Sequence, residues 1–269
     1  VFSVKGKTAV VTGATGVLCG AMARFLAEAG ANVVLVGRRE ERGQAVEKQI
    51  REAGGQATFV RADVLVRDDM ERVRDAAIAA YGRIDILING AGGNRPGATT
   101  NEEQRFFDLP AGEIEQVVNL NLMGAVLPSQ VMGEVFAEQQ QGCIINISSM
   151  VAQQPITRVI GYSAAKAGLD NFTQWLAVHM AQEYSAAIRV NAIAPGFFIG
   201  EQNYYLLVDK ETGQPTQRGR TIIDHTPMGR YGEPEDLMGT LLWLVSDGAK
   251  FVTGTVVPVD GGFSAFGGV

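Results

Sequence analysis

Seven short runs of β-branched and aliphatic residues recur along the chain, with longer stretches of helical periodicity between them. The runs are TAVVT (8–12), NVVLV (32–36), ATFVR (57–61), DILI (85–88), CIINIS (143–148), IRVNAI (188–193) and TVVPV (255–259). Most are nearly continuous apolar runs, as in strands covered on both faces of a parallel sheet. Between them, VLCGAMARFLAEAG (17–30) and DDMERVRDAAIAAYG (68–82) place apolar residues at helical spacing. Strands alternating with helices in this way pack as a parallel sheet with right-handed crossovers. The expected fold class is α/β, a doubly wound parallel sheet of Rossmann type. No repeat, low-complexity tract or Pro/Ser linker divides the chain, so one domain over residues 1–269 is expected.

Two segments are too long for the tight connections of this class. They span 92–113 and 196–234. Both follow strands at their carboxyl ends, where ligands sit in open α/β sheets. They are the expected substrate loops.

Composition removes several function classes. The 269 residues are 46% apolar and 19% charged, with 29 acids against 23 bases and a net charge of −6. No Lys/Arg run reverses that sign locally, so a nucleic-acid partner is not expected. No apolar stretch reaches the roughly 18 residues of a membrane span. The opening VFSVKGKTAVVTG lacks the charged-then-apolar layout of a signal peptide. Cys19 and Cys143 are too few for a disulfide framework, and His179 and His225 stand isolated, so neither a staple nor a metal site is expected. The expected setting is cytoplasmic.

TGATGVLCG, from Thr12 to Gly20, follows the first strand and opens the first helix, the setting of a phosphate-binding turn. Glycine there permits positive φ and lets backbone N–H groups approach a pyrophosphate. The third strand leads into ADV, with Asp63 placed to meet an adenine, and the fourth into NGAGG at 89–93. Small residues at two consecutive strand ends are hard to explain by turns alone.

The strongest signal is SSM followed by YSAAK. Ser149 lies past the fifth strand, Tyr162 comes 13 positions later, and Lys166 follows at i+4. On a helix that spacing puts phenol and ammonium on one face. A phenol with an ordinary pKa near 10 is a poor acid–base catalyst at neutral pH, and a nearby cation favours its ionised form. A serine hydroxyl can hydrogen-bond a reacting oxygen as charge develops. Each residue alone has an ordinary explanation in packing, solvation or capping; together they suit reversible hydride transfer between a nicotinamide and a C–OH/C=O centre.

With TGATGVLCG, ADV, NGAG, NLNLMG, the Ser149–Tyr162–Lys166 set, NAIAPG and VDGG, the whole chain resembles the short-chain dehydrogenase/reductase family. The resemblance implies that Tyr162 is the general acid/base. Lys166 lowers its pKa and holds the nicotinamide ribose, Ser149 orients the substrate oxygen, and Asn121 anchors a water of the proton relay. Cofactor contacts are then expected from Gly13, Thr15, Gly16, Val17 and Leu18, from Asp63 and Val64, and from Asn89, Gly90 and Ala91. Pro195, Gly196 and Phe198 would line the nicotinamide side.

The chain departs from the family pattern at several points. The later two loop glycines of the family fall at Val17 and Cys19. Bulk at Cys19, where helix and strand pack closely, predicts weakened cofactor binding and sensitivity to thiol reagents. Gly90 replaces the second Asn of the common NNAG, a change read as benign. Gly200 stands where many members carry a Thr.

The second strand ends in Gly37, Arg38 and Arg39 rather than an acid. Arginines meet a ribose 2′-phosphate, so NADP(H) is expected ahead of NAD(H). The two long loops, with HTPMGR, GEPEDL and the tail VDGGFSAFGGV, are similar to the D-mannonate oxidoreductase or fructuronate reductase subgroup. That implies a sugar acid, with Arg95 the first choice for its carboxylate. Asn94, Arg158, Glu201, Gln202 and Asn203 are further candidates for polar contact. A broader keto-sugar or 3-oxoacyl reductase is the alternative within the family, and a non-catalytic dinucleotide sensor the alternative outside it. Relatives with this fold are commonly homotetramers, and helices expected at 114–137 and 166–181, with the FSAFGGV tail, offer surfaces for one.

Overall fold

The computed structural model describes residues 1–200 and 204–268. Seven strands form one parallel sheet: β1 (Thr8–Thr12), β2 (Asn32–Gly37), β3 (Gln56–Arg61), β4 (Ile86–Asn89), β5 (Gly142–Ile147), β6 (Ile188–Pro195) and β7 (Val256–Val259). Their order is β3-β2-β1-β4-β5-β6-β7. The order reverses between β1 and β4, so the crevice at their carboxyl ends is the topological switch point where such sheets take ligands. Register runs straight across it, with Val10 opposite Leu87 on one side and Val34 on the other.

The near-continuous apolar strands divide residue by residue between two cores, as the twofold period of a strand requires. Ala9, Val11, Leu35, Ile88 and Ile145 face one cluster, packed against α1 (Val17–Glu28) and α9 (Met238–Val245). Val10, Val34, Leu87 and Ile144 face the other. That face is covered by α3 (Arg67–Tyr81), α5 (Gly124–Gln139) and α6 (Ile160–Glu183). α2 (Glu40–Glu52) flanks β3 at the sheet edge.

The helix expected at 114–137 is not continuous. α4 (Ala111–Val118) passes into a π-helical turn, Asn119–Met123, before α5 begins. Such wide turns often mark functional positions, and this one carries Asn121. Within the second long segment, α7 (Tyr204–Leu207) and α8 (Gln217–Asp224) pack on each other above the carboxyl ends of the strands. No helix among the described residues is long and apolar enough to cross a membrane.

Candidate active site

The cleft is built where β1, β4, β5 and β6 end side by side. Gly13 has φ +69, and a Cβ there would lie 2.6 Å from the Gly90 carbonyl oxygen. The β1 and β4 loops therefore touch backbone to backbone at the floor of the cleft. Gly16 stands at the N-cap of α1 with ordinary extended backbone. Val17 follows at the helix start with its side chain open to solvent, so its bulk obstructs no packing.

Cys19 is accommodated rather than tolerated. A Cβ on Gly90 would overlap the Cys19 sulfur, so the two departures from the family pattern fill one volume between them. Gly90 is not an incidental change. The thiol is buried, and that burial pushes it up to about 12, opposed only in part by Lys166. A thiolate is scarce there and reagents have little access. The expected thiol sensitivity is thus corrected.

Ser149, Tyr162 and Lys166 converge as expected. Ser149 caps a short 3-10 turn, its Oγ accepting from Val151 N–H at 3.4 Å, and it hydrogen-bonds the Tyr162 phenol. Lys166 is buried, with Nζ 5.5 Å from the centre of the Tyr162 ring. Its ammonium donates to the Ile147 carbonyl at 2.7 Å, which fixes it beneath the end of β5. Burial brings Lys166 down to about 8, with Cys19 and Asp170 opposing.

The phenol itself differs from expectation. Burial holds Tyr162 above its ordinary value, and the lowering influence is the Ser149 hydrogen bond rather than the Lys166 charge. The ammonium sits over the ring instead of at the hydroxyl, and desolvation of the phenolate dominates.

Asn121 is almost fully buried, and its side chain is fully engaged. Nδ2 donates to the Gly93 and Val117 carbonyls at 2.7 and 2.8 Å, and Oδ1 accepts from Gly93 N–H at 3.0 Å. The amide thus clamps the start of the first long loop from both sides, a positioning role. Asp170 is a neighbour that the motif reading missed. It accepts a short hydrogen bond from Ser148 Oγ and lies one helical turn beyond Lys166. Its i+4 spacing from Lys166 was visible in the sequence.

The other expected contacts divide. Asp63 follows just past the end of β3, its carboxylate 3.6 Å from Arg38. Arg39 Nη2 donates to the Thr15 carbonyl at 2.6 Å, so it lies against the glycine-rich loop between β1 and α1. Leu18, Ala91 and Gly196 are partly buried around the cleft, and Pro195 ends β6. Val64 is buried against Gly124. Two more of the expected residues have buried side chains. The Asn89 side chain is buried at the end of β4, donating to Ser129 and Asn146. The Phe198 ring is buried in the core beside Gly232.

On the substrate side, Tyr162 lies against an apolar wall. Met150, Val151, Leu207, Val208, Ile222 and Phe263 form it. The long loops are therefore polar at their rim and apolar where they meet the phenol. Phe263 packs on Phe197 and His225, so this part of the tail serves the site's own wall rather than a free surface. Arg95, assigned to a substrate carboxylate, donates from Nε to Glu113 Oε2 at 2.9 Å in a half-exposed ion pair. Asn94 donates to Thr99 at 2.7 Å, while its Oδ1 is buried without a partner. Glu201, Gln202 and Asn203 lie outside the described residues. The Gly200 carbonyl accepts from Tyr204 N–H at 2.9 Å.

Comparison with known proteins fits this geometry. A family model described as enoyl-(acyl carrier protein) reductase matches residues 13–264. UxuB of Bacillus subtilis, an uncharacterized oxidoreductase, is 50% identical over 273 residues, spanning 98% of this chain and 97% of its own. A Haemophilus influenzae crystal structure with the working name D-mannonate oxidoreductase and bound NAD superposes with TM-score 0.92. It is 46% identical over 99% of this chain and 98% of its own. A Beutenbergia cavernae structure with the working name NAD(P)-dependent gluconate 5-dehydrogenase carries NADP at low occupancy. It superposes with TM-score 0.85 at 33% identity, over 98% of this chain and 99% of its own.

Proposed function

The chain belongs to the short-chain dehydrogenase/reductase family, an NAD(P)(H)-dependent oxidoreductase, and on that premise we propose that it interconverts a secondary alcohol and a ketone of a sugar acid. The observation that carries the reading is the convergence of the buried Ser149 and Lys166 on the half-buried Tyr162 beside the switch-point crevice. A non-catalytic sensor has no use for a phenol hydrogen-bonded to a serine and stacked beneath an ammonium.

The residues fit a dinucleotide. Gly13 lets the β1 and β4 loops meet backbone to backbone, with no room for a Cβ between them, so that loop amides line the cleft, and Lys166 and Tyr162 would hold the ribose. When bound, the nicotinamide supplies or accepts the hydride. The phenol of Tyr162 gives its proton to the substrate oxygen in reduction and takes it back in oxidation. Ser149 Oγ donates to that oxygen and fixes its position. The apolar wall excludes water and packs against the C–H face of the substrate.

NADP(H) is the cofactor favoured by the end of β2, where Gly37 is followed by two arginines and no acid. A homotetramer in the cytoplasm completes the proposal. Trp175, Val178 and Tyr184 are exposed on and just after α6, an apolar surface suited to a second copy. The apolar wall also suits a 3-oxoacyl chain, the second reading. Titration with NADPH and NADH by fluorescence, followed by addition of D-fructuronate or acetoacetyl-CoA, separates them. Sub-millimolar binding and oxidation with D-fructuronate are expected; oxidation with the thioester alone would favour the second reading, and no binding would end both.

A further inference from the structure

If Arg95 gives its charge to Glu113, a substrate carboxylate must find its cation elsewhere. The rim of the cleft holds two other arginines. Arg218 lies on α8 and Arg158 just before α6, and Arg218 Nη1 reaches Thr157 Oγ1 at 3.5 Å. Their guanidinium charges oppose each other: burial first, and Arg158 second, hold Arg218 below the usual arginine value. Among the described residues neither forms an ion pair with a carboxylate. Two like charges, of which Arg218 is partly buried, repel until an anion joins them.

Both arginines sit on elements that pack beside the reacting centre. Ile222 of α8 packs in the same cluster as Tyr162, and Arg218 sits one helical turn before Ile222 on the same face. Arg158 precedes Tyr162 by four residues. Its backbone is left-handed, with φ +82, a costly conformation for a long side chain. The first substrate loop holds it there, Thr100 N–H donating to the Arg158 carbonyl at 3.0 Å. Strain of this kind persists where the surroundings over-determine it, often at ligand clamps.

We propose that Arg158 and Arg218 form the carboxylate cradle of the acidic substrate and set the preference of the site for sugar acids. The inference rests on the sugar-acid reading above. Guanidinium forks bind a carboxylate at two points, and the bridging anion relieves the repulsion between them.

The test compares D-mannonate with D-mannonamide, which differ in charge at one carbon, using wild type, R158Q, R218Q and R158G. Wild type is expected to prefer the acid. Each Gln variant should lower the acid-over-amide ratio of kcat/KM by roughly tenfold to hundredfold, through KM. R158G removes strain and charge together, so it should lose the preference while its thermal midpoint rises. That variant keeps the test informative if loss of Arg218 loosens α8. A wild type that prefers the acid, with variants that keep the same ratio, overturns the cradle and leaves the sugar-acid reading standing. A wild type that treats acid and amide alike, or turns over neither, overturns both.

Discussion

Cys19 and Gly90 share one volume. The sulfur of Cys19 lies where a Cβ on residue 90 would stand, across the contact between α1 and the end of β4. Cys19 is buried in the core cluster that also holds Ala14 and Ile88. A side chain at 90 must therefore displace the thiol or the helix. Gly90→Ala should cost about 1–3 kcal/mol of stability by overpacking and weaken cofactor binding. Cys19→Gly clears the space but puts glycine in a helix, at about 1 kcal/mol. The double variant should be more stable than the sum of the two changes, by at least about 1 kcal/mol in a denaturant-unfolding cycle. Additive effects would show that the two positions do not compete.

The pH dependence should separate the two directions of reaction. Burial holds the Tyr162 phenol above its ordinary value, so at neutral pH it is almost wholly protonated. The acid needed for reduction is abundant and the base needed for oxidation is scarce. The base form grows about tenfold per pH unit below the pKa. Log kcat/KM for alcohol oxidation should therefore rise with a slope near one from about pH 6 to 8, while reduction stays nearly flat. Ser149→Ala removes the hydrogen bond that lowers the phenol and should move the rise to higher pH. Oxidation independent of pH over that range would contradict the assignment.

Asn121 offers a test of positioning. Its amide makes two hydrogen bonds to Gly93 and one to Val117 inside the protein. Asn121→Ala leaves those groups unpaired and should cost about 2–4 kcal/mol. The thermal midpoint should fall, and kcat should drop more than cofactor affinity, because the clamp holds the substrate loop. Loss confined to cofactor affinity would place the role elsewhere.

Cofactor choice can be read at the end of β2. Arg39 lies on the Thr15 carbonyl and Arg38 beside Asp63. Replacing both by Ala should lower the NADPH-over-NADH affinity ratio by about tenfold or more, given the strength of charge-assisted contacts to phosphate. The Haemophilus influenzae relative was solved with NAD. A wild type that binds NADH more tightly would overturn the NADP(H) proposal without touching the chemistry.

Most of the fold was legible because strands buried on both faces announce themselves. All seven runs became strands, displaced by two residues at most. The π turn at Asn119–Met123 was not, because one wide turn barely disturbs the apolar spacing around it. Tyr162 and Lys166 were legible through their i+4 spacing on one helix. The Cys19–Gly90 pair was not, since each departure looks isolated until β1 and β4 are placed side by side. Arg158 and Arg218 carry no periodic signal linking them, and nothing in the sequence places Glu113 against Arg95. Burial also reversed the expected direction at Tyr162, since sequence gives the neighbours of a phenol and not its desolvation.

The most direct measurement is the initial rate of D-mannonate oxidation by wild type and Tyr162→Phe at matched saturation with NADP⁺ and, separately, NAD⁺. The phenol ring and its packing remain in the variant, and only the hydroxyl that moves the proton is lost. The expected result is turnover by wild type and a loss of about 10²–10⁴-fold in Tyr162→Phe, with cofactor affinity within a few-fold. A variant that retains most of the wild-type rate would contradict the central role of Tyr162.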